Sequence, residues 1–309
     1  MKTIAITGVL GYSGRYIAAE ARKRGWRVIG LTNSAGRLAN PEGYELRPMP
    51  WGKHEGEGAL EGVDVLVNTY WVRFSYSGRG HAAFSHSEAV ANTKALFSAA
   101  VQAGVKRIVH TSITQPDATS ALPYFRGKAE LESALAATGI PHSILRPAVL
   151  YGESPQESIL INNMAWSLRR LPCVATFGSG KYRIQPIHVQ DFAELAMAEA
   201  EHDDDARIVQ AVGGETYSFR ELWEMLAKAM GVHRPIIPVP VWLGRVCTHA
   251  LGMLVGDVML TYDEIQGLMQ DRLAVDESPA VGSRSLRVWA QENAATLGRS
   301  YQSELKRRR

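Results

Sequence analysis

Cysteine is scarce: the 309 residues hold two, Cys173 and Cys247, far apart and outside any C-x-x-C. That fits a reducing compartment better than a disulfide scaffold, with both thiols read as buried small hydrophobes. The nine histidines show no H-x-x-x-H spacing, so no metal site is expected. Net charge is only +3 and the basic residues are dispersed, which argues against nucleic acid as a partner. The single basic run, Lys306-Arg307-Arg308-Arg309, reads as a solvated helix end. Repeats and low-complexity tracts are absent. No stretch approaches the ~20 apolar residues of a membrane span. The nearest, Val239 to Val255, is interrupted by Arg245 and His249 and reads as a buried or interfacial helix. The apolar residues after Met1-Lys2 already belong to a strand, so no signal peptide is expected and the expected location is cytoplasmic.

What the chain does have begins at residue 7. The apolar run Thr3-Ile4-Ala5-Ile6 leads into Thr7-Gly8-Val9-Leu10-Gly11-Tyr12-Ser13-Gly14, and a helical pattern follows from Arg15 to Arg24. Strand, glycine turn and helix in this order form a dinucleotide-binding opening. Gly8 allows the sharp turn, Gly11 the close approach of a pyrophosphate, and Gly14 the packing of helix on strand. Leu10, Tyr12 and Ser13 complete the turn, and the helix N-terminus offers N–H groups to phosphate.

Strand patterns recur at Trp26–Leu31, Val63–Asn68, Arg107–Thr111 and Ile140–Leu145, with a long helical pattern over Ala82–Ala103 that stops at Gly104. This alternation predicts an α/β protein with a doubly wound parallel-sheet Rossmann fold over residues 1–152. Residues 153–309 lose the alternation and are expected to form a smaller C-terminal, substrate-side lobe, with about 184–212 packing back on the core. There, Ser158–Arg170 reads as a helix, Ile184–Val189 as a strand, Asp191 and Ser218 as helix caps, and Ser285 onward as a last helix. Prolines 235, 238 and 240 are expected to break the chain.

The second strand ends Gly30-Leu31-Thr32-Asn33-Ser34 with no carboxylate to hold a ribose 2′-hydroxyl. Asn33 and Ser34 can donate to a 2′-phosphate and Arg37 or Arg15 can balance its charge, so NADP(H) is favoured over NAD(H). Asn68 and Thr69 follow a strand at the edge where nucleotide should lie, and Tyr70 and Trp71 line the substrate side or pack.

Tyr124 and Lys128 stand four apart on one helix face. A phenol titrating near ~10 needs a neighbouring cation to exchange protons at neutral pH. Thr111-Ser112 closes the preceding strand, where Ser112 can orient a carbonyl. These segments, with A-G-V-K-R-I-V-H-T-S (103–112), L-P-Y-F-R-G-K-A-E-L-E (122–132), I-L-R-P-A-V-L-Y-G (144–152), Q-P-I-H-V-Q-D (185–191) and L-G-R-S-Y-Q-S-E-L (297–305), run through essentially the whole chain. They resemble the short-chain dehydrogenase/reductase superfamily in its atypical, extended-like branch. The chain is similar to bacterial epimerase-type NAD(P)-binding proteins and to the nucleotide-binding accessory subunit of respiratory complex I.

The resemblance implies an NAD(P) cofactor and a Ser/Tyr/Lys group. Tyr124 would be the acid–base residue, Lys128 its helper and ribose ligand, and Ser112 the orienting hydroxyl. It also implies backbone contacts from Pro147 and Val149 to the carboxamide, with Asn92 supporting the lysine. The expected function is hydride transfer to or from a carbonyl or quinone-like substrate. Two alternatives stand beside it: a non-catalytic NAD(P)H-binding structural, assembly or redox-sensing module, and a nucleotide-sugar epimerase or dehydratase. The loop Ile113–Pro123 is shorter than in extended epimerases and lacks their Y-G pair, which argues against the sugar nucleotide. His188 reads as structural.

Overall fold

The computed structural model describes residues 1–33, 40, 42–54, 58–75, 84–203, 205–258, 260–276 and 278–307. The chain divides into two units, residues 1–147 with 190–211, and residues 148–189 with 212–309.

The first unit opens with β1 (Thr3–Thr7), α1 (Tyr12–Lys23), β2 (Arg27–Leu31), β3 (Glu45–Arg47) and β4 (Val65–Asn68). It continues through α2 (His86–Gln102), β5 (Arg107–Thr111), α3 (Pro123–Ala136) and β6 (His142–Pro147). Seven strands form one sheet whose pairings are all parallel. Their order puts β4 and β2 on opposite sides of β1, the strand-order reversal at which ligands bind in open α/β sheets. β1 and β4 are buried along their whole length, as strands with both faces covered must be. Ile29, Leu66, Ile108 and Ile144 pack with Leu96, Phe97 and Leu131 of the helices into one core.

Several boundaries differ from the expectation, among them three with a clear local reason. The helix expected from Arg15 starts at Tyr12, directly on the Gly11 cap. The helix expected from Ala82 starts after Ser85, whose hydroxyl accepts the Glu88 N–H, and positions 82 and 83 lie outside the described residues. The strand expected from Ile140 begins at His142, because the Thr138 hydroxyl ties up the Ile140 N–H in a turn.

The second unit contains β7 (Leu150–Tyr151), α4 (Ile159–Arg170), β8 (Val174–Phe177), β9 (Arg183–Ile184) and β10 (Ile187–His188). The expected strand Ile184–Val189 is thus two short strands: β9 pairs with β12 (Tyr217–Ser218) and β10 with β7. Between these strands lie α5 (Val189–Ala200) and β11 (Ala206–Ala211), which joins the first unit's sheet beside β6. β10 runs straight into α5, so Asp191 lies buried in the first helical turn and not at the cap.

Ser218 does cap α6 (Phe219–Ala229), in a reciprocal capping box with Glu221. The proline-rich stretch is not a simple break, since β13 (Ile236–Val239) pairs with β8 and carries Pro238 on an edge strand, where a missing N–H is tolerated. Then come α7 (Val241–Val255), α8 (Tyr262–Met269), α9 (Leu286–Glu292) and α10 (Glu304–Arg307). Cys247 on α7 is exposed, contrary to its reading as a buried hydrophobe. The last helix expected from Ser285 therefore ends after Glu292, in turns closed by Gly298 at φ 72°. Tyr151, Phe219, Trp223, Leu226 and Trp289 centre this unit's own core.

Candidate functional site

The site belongs to the carboxyl ends of β1, β4 and β5 and to the faces of α1 and α3 that meet them. At the end of β1, Gly8 has φ 63°, a conformation that side chains disfavour. Its carbonyl accepts the Gly11 N–H at 2.7 Å, closing the turn. A Cβ at Gly14 would lie 2.1 Å from that same carbonyl oxygen, so only glycine lets α1 approach this closely. No side chain caps α1 at Gly11 and no acidic residue stands in its first turn. The helix dipole and turn are therefore open to an anion, and the residues fit a dinucleotide phosphate. Leu10, Tyr12 and Ser13 are part-buried beside this turn.

Asn33, after β2, is half committed: its Oδ1 accepts the Met49 N–H at 2.8 Å. Ser34 and Arg37 lie outside the described residues. Arg15 projects from the first turns of α1, with its guanidinium over the Tyr16 ring. At the strand-order reversal the Thr7 hydroxyl donates to Asn68 Oδ1 at 3.0 Å and accepts the Thr69 N–H at 2.7 Å. Thr69 in turn donates its hydroxyl to the Thr7 carbonyl at 2.6 Å. Asn68 is fully buried and donates to His110 Nδ1 at 3.1 Å, which places the imidazole proton on Nε2. That Nε2 has no partner among the described residues, and burial holds His110 well below the ordinary histidine range, as a neutral ring.

Around the second motif the structure brings several predicted residues together. Lys128 is 2 % exposed, and its ammonium donates to the Thr111 carbonyl at 2.7 Å. It also sits 4.3 Å from the centre of the Trp71 ring. Burial lowers its pKa to about 7, with the Glu132 carboxylate acting in the opposite direction. Trp71 stacks on His86 and meets the Tyr124 ring edge-on at 5.4 Å. Indole, imidazole and phenol thus form an aromatic wall next to the lysine. The Trp71 Nε1 and Thr111 Oγ1 atoms are buried without partners among the described residues, polar groups that a bound ligand would satisfy.

Other expected residues lie elsewhere or are otherwise engaged. Ser112 donates its hydroxyl to Glu132 Oε1 at 2.5 Å, and Glu132 is held by Arg146 from β6 at 2.5 and 3.0 Å. Asn92 donates to the Tyr70 hydroxyl at 3.1 Å, which is the contact the structure gives it. Pro147 closes β6, whereas Val149 belongs to the second unit and packs on that unit's core. His188 is structural in that unit: it is buried, edge-on to Tyr151, and accepts the Glu153 N–H. Sequence reasoning missed Glu132, although its signal is plain: Tyr124, Lys128 and Glu132 recur every four residues on one face of α3. It also missed His110, which nothing in a strand-internal histidine distinguishes.

A family model described as "NAD dependent epimerase/dehydratase family" matches residues 4–213. The chain is 21% identical over 294 residues to the mitochondrial NADH dehydrogenase [ubiquinone] 1 alpha subcomplex subunit 9 of Arabidopsis thaliana, covering 88% of this chain and 71% of that one. It is 22% identical over 273 residues to the 4-hydroxy-2-methyl-3-oxo-4-farnesyl-3,4-dihydroquinoline-1-oxide ketoreductase of Stigmatella aurantiaca, covering 79% of this chain and 78% of that one. The fold matches the Citrobacter sp. triphenylmethane reductase, solved with NADP(H), at a TM-score of 0.68. That alignment is 19% identical and covers 94% of this chain and 99% of the other. With a glycine cradle at a strand-order reversal and a model match over more than half its length, the chain belongs to the NAD dependent epimerase/dehydratase family and carries that family's nicotinamide-dinucleotide-binding Rossmann core.

Proposed function

We propose that the protein is an NADP(H)-dependent oxidoreductase acting on a carbonyl or quinone-like carbon of a planar, conjugated small molecule. The observation that carries this reading is the buried Lys128 ammonium, fixed to the Thr111 carbonyl one helical turn after Tyr124. A bound nicotinamide supplies or accepts the hydride. The chain's own residues handle the proton and the positioning. Tyr124 gives a proton to the substrate oxygen, or takes one from it. Lys128 stabilises the phenolate that results and holds the ribose hydroxyls. The Gly8–Gly14 turn with Leu10, Tyr12 and Ser13 would hold the pyrophosphate, Asn68, Thr69 and Thr111 would lie beside the bound nucleotide, and Pro147 would contact the carboxamide.

The Trp71–His86–Tyr124 wall favours a flat substrate, in keeping with relatives named for reduction of a quinoline oxide and of a triphenylmethane. NADP(H) is supported by the absence of a carboxylate at the end of β2 and by the Asn33 amide there. Ser112 reaches a substrate oxygen only by giving up its bond to Glu132, which makes it a weaker contributor than Tyr124.

The test is loss of NADPH absorbance against a panel of quinones, aldehydes and ketones, with wild type and Tyr124→Phe side by side. Oxidation that collapses in the variant establishes the reductase. Tight nucleotide binding with no turnover by either protein favours the assembly or sensing role instead, and the similarity to a complex I subunit favours that as the second reading. Interconversion of a UDP-sugar without net cofactor consumption would establish the epimerase.

A further inference from the structure

Residues four apart share one face of a helix, so Tyr124, Lys128 and Glu132 stand one above another along α3. The sheet meets them with consecutive residues. The carbonyl of Thr111, the last residue of β5, accepts the Lys128 ammonium at 2.7 Å. The next residue, Ser112, donates its hydroxyl to Glu132 Oε1 at 2.5 Å and its own N–H to the Leu145 carbonyl on β6. Arg146 follows Leu145, and its guanidinium grips both oxygens of Glu132, Nε on Oε1 at 3.0 Å and Nη2 on Oε2 at 2.5 Å. Ammonium, carboxylate and guanidinium thus alternate across the end of β5 and β6. The Glu132 and Arg146 side chains are only 10 and 21 % exposed and Lys128 less still, so solvent screens this row weakly.

Hydrogen bonds alone would clamp α3 to the sheet; the order of charges does something more. The direct partners of Lys128, a backbone oxygen and the Trp71 ring, carry no net charge. Around it, β5 contributes His110 as a neutral ring, α2 sets His86 beyond the indole, and α3 itself adds the Tyr124 phenol. The Lys94–Glu130 pair closes on itself at 2.6 Å on an exposed face. Among the described residues, Glu132 is the carboxylate whose field favours the charged lysine. Arg146 opposes that field directly, and the Ser112 hydroxyl draws on the same oxygen.

We propose that Glu132 is a positioning residue of the Tyr124–Lys128 pair, and that Arg146 and Ser112 govern how much of its charge reaches the lysine. Without the carboxylate, Lys128 loses its charge in the range where a phenolate needs it. With the carboxylate bare, the ammonium holds its proton too firmly. The pH range of the site is therefore set from β6 as well as by burial. For its effect on turnover the inference rests on the oxidoreductase reading; for the titration of Lys128 it does not.

The titration is read by NMR of protein carrying lysine labelled with carbon-13 at Cε, the Lys128 resonance being the one lost in Lys128→Met. Glu132→Gln should lower the Lys128 midpoint by about one pH unit or more, and Arg146→Gln should raise it by about half a unit or more. Arg146→Lys keeps the charge and should stay nearer wild type than Arg146→Gln. Ser112→Ala, which removes one oxygen and no charge, should also raise the midpoint, and it carries the test if Arg146→Gln does not fold. Opposite signs are what a mechanical clamp would not give. Midpoints that move the same way in Glu132→Gln and in Arg146→Gln or Ser112→Ala overturn the proposal, as do midpoints within about 0.2 unit of wild type. The limb of the kcat/KM profile that belongs to Lys128 should move by the same amounts. Midpoints that shift as expected in a protein without turnover sink the reductase and uphold this inference; turnover with unshifted midpoints does the reverse.

Discussion

The Lys128 ammonium and the Thr111 carbonyl are joined by a 2.7 Å hydrogen bond across the end of β5, beneath the Trp71 ring. A single backbone oxygen and an aromatic face are weak compensation for a buried cation, which is why its pKa falls to about 7. Folded Lys128 titrates near 7 and the unfolded residue at 10.5, so the unfolded chain holds more protons between those values. Stability should therefore rise with pH across that window, and below pH 7 the cost of the buried charge is fully present. Lys128→Met should be more stable than wild type at pH 6 by roughly 2 kcal/mol, with the difference shrinking as pH approaches 10.5. Urea denaturation at three pH values reads this directly. A wild-type curve parallel to the variant's at every pH would refute the burial argument.

Tyr124→Phe should lower turnover of any accepted substrate by about 100-fold or more, the usual worth of a positioned acid–base group. Dinucleotide affinity should stay within a few-fold. Ser112→Ala should cost distinctly less, since its hydroxyl already serves Glu132. Steady-state kinetics on both variants separate the two roles.

Gly14→Ala places a Cβ 2.1 Å from the Gly8 carbonyl oxygen, which is backbone and cannot swing aside. The turn must open, so stability should fall by about 1–3 kcal/mol. Dinucleotide binding, measured calorimetrically, should weaken at least tenfold. Ala19→Ser, at an exposed position of the same helix, is the control and should cost little.

Asn33→Asp keeps the oxygen that accepts the Met49 N–H, so the fold should tolerate it. It places a carboxylate where a 2′-phosphate would lie, and a carboxylate suits a ribose hydroxyl instead. The ratio of NADPH to NADH affinity should drop by roughly tenfold or more. An unchanged ratio would move the 2′-discriminating residues elsewhere.

The Arg107 side chain, 5 % exposed, donates to the Glu199 carbonyl at 2.6 Å and to the Ser143 hydroxyl at 2.6 Å, while Ser143 donates to the Glu199 carboxylate. This network ties β5 and β6 to α5. Glu199→Ala removes the acceptor of the buried Ser143 hydroxyl, while the backbone carbonyl that Arg107 uses remains, and should destabilise the protein by about 2 kcal/mol. A cost below about 1 kcal/mol, by chemical denaturation, would show that water replaces the carboxylate.

The parallel sheet was legible because its strands are short apolar runs punctuated by glycines, and Gly8, Gly104 and Gly139 each take the positive φ their positions require. β11 was harder to place, since Ala206–Ala211 carries Arg207 and Gln210 and reads as polar from sequence alone. Asp191 misled because a carboxylate in a helix's first turn and one at its cap look alike in sequence. Of the candidate site, Tyr124 and Lys128 announce themselves by their spacing. Trp71 is placed near the nucleotide by the strand it follows, but His86 and His110 come from separate segments joined to it only by the fold.

Because β11 completes the sheet only after residues 148–189 have been made, the first unit is discontinuous in synthesis as well as in sequence. As the chain emerges from the ribosome, β6 stands with one edge open until residue 211 arrives. An unpaired strand edge is a template for the wrong partner. A fragment ending at Pro147 should therefore aggregate where one ending after Ala211 remains dispersed, and slowing translation between those points should lower the yield of native protein.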